Sequence, residues 1–166
     1  MAGTSVKNGK SEKKFSNIFR KEFGYDVAIN YKTQDVKDQL AKEDIHAYFD
    51  NVGGKISDDV SEFMVENSNI ILCGQISQYN KNVPYPPPIS DTLAKNLNAK
   101  SITRDRFLVL NYMDDFDDSL QQLIEWMKTG KLKTKETIIE GIEHTGKAFV
   151  DMMNGSNIGK QLVKIL

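Results

Sequence analysis

The sequence predicts an α/β protein built on a parallel sheet. Three observations carry that prediction. Short apolar runs alternate with amphipathic stretches of helical period along the chain, glycines punctuate the boundaries, and 166 residues, 39% of them apolar, can bury a sizeable core. Strands that alternate with helices imply right-handed crossovers and hence parallel pairing.

Taken in order, Phe15, Ile18, Phe19 and Phe23 recur at helical spacing after Ser11, a suitable N-cap, and Gly24 is a natural stop, which predicts a helix over residues 11–23. Asp26-Val27-Ala28-Ile29-Asn30 reads as a strand, the charged stretch from Asp35 to Lys42 as a helix, and His46-Ala47-Tyr48-Phe49-Asp50 as a second strand. After Gly53-Gly54, the apolar Val60, Phe63 and Met64 suit a helix, and Asn69-Ile70-Ile71-Leu72-Cys73-Gly74 a buried strand that ends in a turn. All four prolines fall in Pro84-Tyr85-Pro86-Pro87-Pro88, which must be an extended loop. Phe107-Leu108-Val109-Leu110 reads as the next strand. Phe116, Leu120, Leu123, Ile124 and Met127 mark one face of a helix that Gly130 ends. A strand near residues 137–139, a helix near 145–153 and a strand near 161–165 complete the chain.

Composition narrows the function. One cysteine cannot form an intrachain disulfide, and two distant histidines make no zinc cluster, so the residues point to a reducing compartment and to no metal. The first thirty residues have no apolar core, and no stretch approaches the roughly 18 apolar residues of a membrane span, so the expected location is the cytosol. A formal net charge of -1 argues against a nucleic-acid partner, but it averages an uneven chain. Residues 1–24 carry six basic residues against Glu12 and Glu22, whereas the remainder carries sixteen basic against twenty-one acidic. Lysines at the start of a helix could recognise a phosphate, although taken alone they read more simply as a solvated helix face.

In a parallel sheet, ligands bind outside the carboxyl ends of the strands. Two segments fall there: Asp50-Asn51-Val52-Gly53-Gly54, and Cys73-Gly74-Gln75-Ile76-Ser77-Gln78-Tyr79. Glycine permits close backbone approach, and Asn51, Ser77 and Tyr79 offer hydrogen bonds to a polar ligand. Both could instead be tight strand-to-helix turns. Cys73, with no histidine near it in sequence, reads as a buried core residue rather than a nucleophile. No Gly-x-Gly-x-x-Gly or Walker-type loop occurs.

The runs Gly24-Tyr25-Asp26-Val27-Ala28-Ile29-Asn30-Tyr31-Lys32, Tyr48-Phe49-Asp50-Asn51-Val52-Gly53-Gly54, Ile71-Leu72-Cys73-Gly74-Gln75-Ile76-Ser77-Gln78-Tyr79-Asn80 and Asn157-Ile158-Gly159-Lys160 resemble, in order and spacing, those of the prostaglandin reductases. These are the NADPH-dependent, zinc-free branch of the medium-chain dehydrogenase/reductase superfamily. The resemblance extends over about residues 9–166. It implies reduction of the 13,14 double bond of 15-keto prostaglandins and related enones, with no metal. It also implies that Lys13, or Lys7 on another alignment, and Tyr31 hold the adenosine 2'-phosphate of NADPH. Asn51 would contact the cofactor, Cys73, Gly74, Gln75, Ile76, Ser77 and Tyr79 would line its nicotinamide side, and Asn157 would close over it. Phe107, Leu108 and Val109 would flank nicotinamide and substrate, with Leu110 and Tyr79 also on the substrate side. Tyr79 would be the catalytic residue, stabilising the enolate.

The resemblance covers about half of a family member. It implies a partial Rossmann-type doubly wound sheet without its first strand and glycine-rich turn: a truncated NADP-binding domain over residues 1–130, and a segment over residues 131–166 that in the family packs on a GroES-like catalytic domain. In the doubly wound order 3-2-1-4-5-6, the strand at 26–30 would be the third, and those at 46–50, 69–73 and 107–110 the fourth, fifth and sixth. Exposed sheet edges are expected, with a possible homodimer through the edge strand at 107–110. The expected partners are a small-molecule enone or prostanoid substrate, with no nucleic acid and no membrane.

Overall fold

The structure is a computed structural model that describes residues 17–84 and 86–165. The expected N-cap Ser11 and both candidate phosphate lysines, Lys7 and Lys13, lie outside the described residues. The described chain divides into two compact units, residues 34–111 and residues 17–33 with 112–165.

In the first unit, β1 (Ile45–Asp50), β2 (Met64–Leu72) and β3 (Thr103–Arg106) form a parallel sheet in the order β1-β2-β3. The register pairs Asp50 with Leu72 and Leu72 with Arg106, so the carboxyl ends of all three strands reach one edge together. Alternation along β2 decides which side is covered: Met64, Ser68, Ile70 and Leu72 are buried while Asn69 and Ile71 are exposed. Onto that side pack α1 (Val36–Leu40), α2 (Lys55–Glu62) and α3 (Asp91–Ala99), closing a core of Val60, Met64, Ile70, Leu93 and Ile102. Local chemistry sets the helix ends. Asp35 caps α1 by accepting from the Asp38 amide, and Ser90 caps α3 by accepting from the Leu93 amide. The Lys100 ammonium donates to the carbonyls of Glu62 (2.6 Å) and Met64 (2.8 Å), which satisfies acceptors left open where α2 ends.

Three expectations from the sequence are corrected here. Met64 does not continue a helix: α2 stops at Glu62, the Phe63 amide bonds back to the Val60 carbonyl, and Met64 opens β2. The sixth strand is not residues 107–110 but Thr103–Arg106, and α3 precedes it. Its sequence, Thr-Arg-Asp-Arg, carries no apolar alternation, so only pairing with β2 makes it a strand. Phe107 leaves the sheet with its amide still bonded to the Leu72 carbonyl (2.8 Å), and Val109 to Asp115 turns in short 3₁₀ steps kinked at Tyr112. An edge-to-edge contact of this sheet would therefore run through residues 103–106, not 107–110.

In the second unit, a single π-helical turn (Ile18–Glu22) is the described part of the predicted first helix, and Gly24, at φ 78°, ends it as expected. Residues 26–30 are a fourth correction. They form no strand, because an apolar run becomes one only through a ladder, and no described strand pairs with it. Beyond α4 (Phe116–Lys128), β4 (Glu136–Glu140) and β5 (Lys160–Lys164) pair in parallel across α5 (Thr145–Met153). Phe116, Leu120, Leu123 and Met127 form the predicted stripe on α4, yet each remains exposed. Among the described residues, no helix is long and apolar enough to cross a membrane.

Candidate functional site

At the carboxyl edge of the first unit's sheet, the chain turns sharply after β1 and again after β2. Both turns are organised by Asp50, whose side chain is completely buried. Its Oδ1 accepts from the amides of Val52 (2.9 Å) and Gly53 (2.9 Å) and from the Tyr48 hydroxyl (3.0 Å), while Oδ2 accepts from the Ser57 hydroxyl (2.5 Å). The Asp50 carbonyl in turn accepts from the amides of Cys73 (2.8 Å) and Gly74 (3.0 Å). An aspartate that bonds its own backbone two and three residues on makes an Asx turn, the local reason why Asp-Asn-Val-Gly leaves the strand so abruptly.

The two turns then interlock. The Ile76 amide donates to the Asn51 carbonyl (3.3 Å) and the Ser77 amide to the Val52 carbonyl (3.0 Å). Glycine is required at the contact. Gly54 sits at φ 62°, ψ -143°, a conformation that residues with a Cβ rarely adopt, and an added Cβ would meet Gln78 Nε2 at 2.5 Å. Gln78 can swing away, so backbone strain dominates: Gly54→Ala is expected to cost about 1–3 kcal/mol, read as a lowered midpoint in urea unfolding. At Gly74 a Cβ would lie 3.3 Å from the Asn51 carbonyl and 3.5 Å from the Tyr79 hydroxyl. Its bare backbone thus forms a floor between Asn51 and Tyr79.

The structure therefore brings Asn51, Cys73, Gly74, Gln75, Ile76, Ser77 and Tyr79 together. Tyr79 is 60% exposed, and its hydroxyl lies over Gly74. Gln75 is buried beneath the turn. Cys73 corrects an expectation: it is exposed, because alternation along the strand turns Leu72 inward and the next residue out. Phe107 reaches the same edge with its ring 6.1 Å from that of Phe49, and Leu108, Val109 and Leu110 follow with 48%, 49% and 66% of their surface exposed.

Tyr31 and Asn157 belong to the second unit. There the Lys32 ammonium donates to the Asn154 carbonyl (3.1 Å), which fixes residues 31–32 beside the turn that leads to Asn157. The Asn157 side-chain amide donates to the Gly159 carbonyl (2.7 Å). Partial burial pushes the Tyr31 hydroxyl above its ordinary pKa of 10.0, so it stays a protonated donor.

Sequence reasoning missed Asp50 and the residues that serve it, Tyr48 and Ser57. The available signal was the aspartate at the end of an apolar run just before Asn-x-Gly-Gly. Burial first, then the Asp50 charge, pushes the Tyr48 hydroxyl far above its ordinary 10.0. The sign follows by linkage. The neutral phenol is the form the fold favours, so its stabilisation is complete below pH 10 and is lost as pH rises beyond the unfolded pKa. Thermal melts between about pH 8 and 11 should show this alkaline slope, and Tyr48→Phe should flatten it.

A parallel sheet with turns packed together at its carboxyl ends defines an α/β protein of the open-sheet class, in which ligands bind outside those ends. The chain belongs to the zinc-binding dehydrogenase family, whose sequence profile matches residues 23–163. Among the described residues, no group of three or more His, Cys, Asp and Glu side chains could hold a metal ion. The Bacillus subtilis protein YfmJ, provisionally named an NADP-dependent oxidoreductase, is 39% identical over 153 residues, covering 90% of this chain and 45% of its own length. Prostaglandin reductase 1 of Sus scrofa is 37% identical over 149 residues, covering 87% of this chain and 44% of its own. The crystal structure of CurA from Vibrio vulnificus in complex with NADPH superposes with a TM-score of 0.80 at 31% identity, covering 91% of this chain and 46% of that one. The chain thus spans about half the length of the relatives it matches.

Proposed function

We propose that this chain is the cofactor-binding half of an NADPH-dependent reductase of α,β-unsaturated ketones, acting on the 13,14 double bond of 15-keto prostaglandins. The observation that carries the reading is the exposed Tyr79 hydroxyl held over Gly74, where the two carboxyl-end turns interlock. Similarity to prostaglandin reductase 1 and to the NADPH complex of CurA supports the class of reaction and the cofactor. By resemblance, the run from Cys73 to Asn80, with Val83 and the prolines after it, is similar to that of prostaglandin reductase 2.

The residues present fit the nicotinamide end of the cofactor. At Gly74 the absence of a side chain lets the Asn51 carbonyl and the Tyr79 hydroxyl come close, and Asn51, Ser77 and Tyr79 offer hydrogen-bonding groups along the two turns. Bound there, NADPH supplies the hydride that adds to the β-carbon of an enone. Negative charge then gathers on the carbonyl oxygen, and catalysis needs a donor aimed at it. Tyr79 supplies that O–H from an exposed edge where a substrate can enter. Tyr31, kept protonated, donates to the 2'-phosphate, with Lys13 adding charge, and Asn157 closes over the cofactor. By role, we divide the chain into NADP binding over residues 1–130 and packing on a GroES-like domain over 131–166.

The test is to follow NADPH consumption by the protein carrying this chain with 15-keto prostaglandin E2. Turnover supports the reading, and no turnover with any enone overturns it. The open apolar run at Leu108, Val109 and Leu110 favours a second reading, a broader reductase of alkenals and small enones. Comparing kcat/KM on the prostanoid and on a short alkenal separates the two.

A further inference from the structure

The hydrogen bonds of Asp50 reach beyond its own turn. Its carboxylate holds Val52 and Gly53, its carbonyl holds Cys73 and Gly74, and the turns so fixed bond to each other from Ile76 to Asn51 and from Ser77 to Val52. The two turns that carry the proposed site in this unit meet at that one residue, and Asp50 itself is fully buried. We propose that Asp50 is a positioning residue: its carboxylate sets the register of both site turns, and so the placement of Asn51 and Tyr79 relative to one another. The role in cofactor binding rests on the function proposed above, whereas the coupling of the turns does not.

The chemistry explains why an oxygen acceptor stands there. Three donors, the Val52 and Gly53 amides and the Tyr48 hydroxyl, converge on Oδ1, and the Ser57 hydroxyl reaches Oδ2. An asparagine would keep the shared oxygen and could offer its NH₂ to the Ser57 oxygen, so it would preserve the turn. Asp50→Ala removes every one of these acceptors, and the Asx turn loosens.

The experiment is amide hydrogen exchange on the 166-residue chain, wild type against Asp50→Ala. The coupling predicts at least about tenfold faster exchange at Val52 and Gly53 and also at Ile76 and Ser77, with amides inside α3 unchanged. Faster exchange confined to Val52 and Gly53 overturns the proposal. Should Asp50→Ala fail to fold, Ser57→Ala and Tyr48→Phe each remove one donor, and the proposal requires smaller changes at the same two amides of the second turn. An NADPH titration of the same proteins adds a second readout. Wild-type binding that Asp50→Ala weakens by tenfold or more supports the positioning role, and equal binding overturns it. If the exchange pattern is as predicted and the protein carrying this chain turns over no enone, the coupling stands and the proposed function falls.

Discussion

Tyr79→Phe is expected to lower kcat on a 15-keto prostaglandin by about two orders of magnitude, with NADPH affinity within about twofold of wild type. The substitution removes one oxygen and nothing that packs: Tyr79 is 60% exposed, so the ring's burial contributes little. Its amide still bonds the Ile76 carbonyl (3.3 Å), which keeps the turn in place. What disappears is the donor available to an oxygen that becomes anionic only as the hydride arrives, and a group used only in the transition state shows in kcat rather than in ground-state binding. Steady-state kinetics with fluorescence titration of NADPH make the comparison. Unchanged turnover would remove Tyr79 from the chemistry and shift the search to Asn51 and Ser77, which share the rim.

The second large effect is structural. Gly159→Ala should destabilise the second unit by about 2–4 kcal/mol. Gly159 has φ 75°, and a Cβ there would sit 1.9 Å from the Lys135 carbonyl oxygen, a backbone atom that cannot swing aside. The same carbonyl accepts from the Lys160 amide (2.8 Å), the first rung that joins β4 to β5. Moving it opens the pairing at its start. The chain's single tryptophan, Trp126, lies in α4 of this unit, so its fluorescence in urea reports the transition directly. Asn tolerates left-handed backbone better than Ala, so a Gly159→Asn variant no more stable than Gly159→Ala would identify the collision, not the dihedral, as the cause. An unmoved midpoint in both would refute the account.

These two sites differ in how legible they were. Tyr79 follows an apolar run and a glycine, a spacing that places it at the carboxyl end of a strand. The requirement for glycine at 159 comes from Lys135, twenty-four positions earlier, and no local pattern announces it. The same contrast runs through the fold. Residues 145–153 and 116–128 are helical where their periodicity says so, since a helix is satisfied within its own segment. Residues 26–30 look like a strand and are not, whereas Thr-Arg-Asp-Arg does not look like one and is, since a strand is completed only by its neighbour.

By itself, the sequence determined the α/β class, the parallel pairing, the turns at the strand ends and the residues that resemble a reductase site. Those features are written in periodicity, glycine placement and short local motifs, all of which act over a few residues. The tertiary structure alone decided which segments pair, that Cys73 faces outward, and that one buried aspartate, through its carboxylate and its main-chain carbonyl, bonds two turns more than twenty residues apart. Hydrogen bonds between distant segments depend on the packed geometry of the whole unit, and a linear pattern carries no record of it.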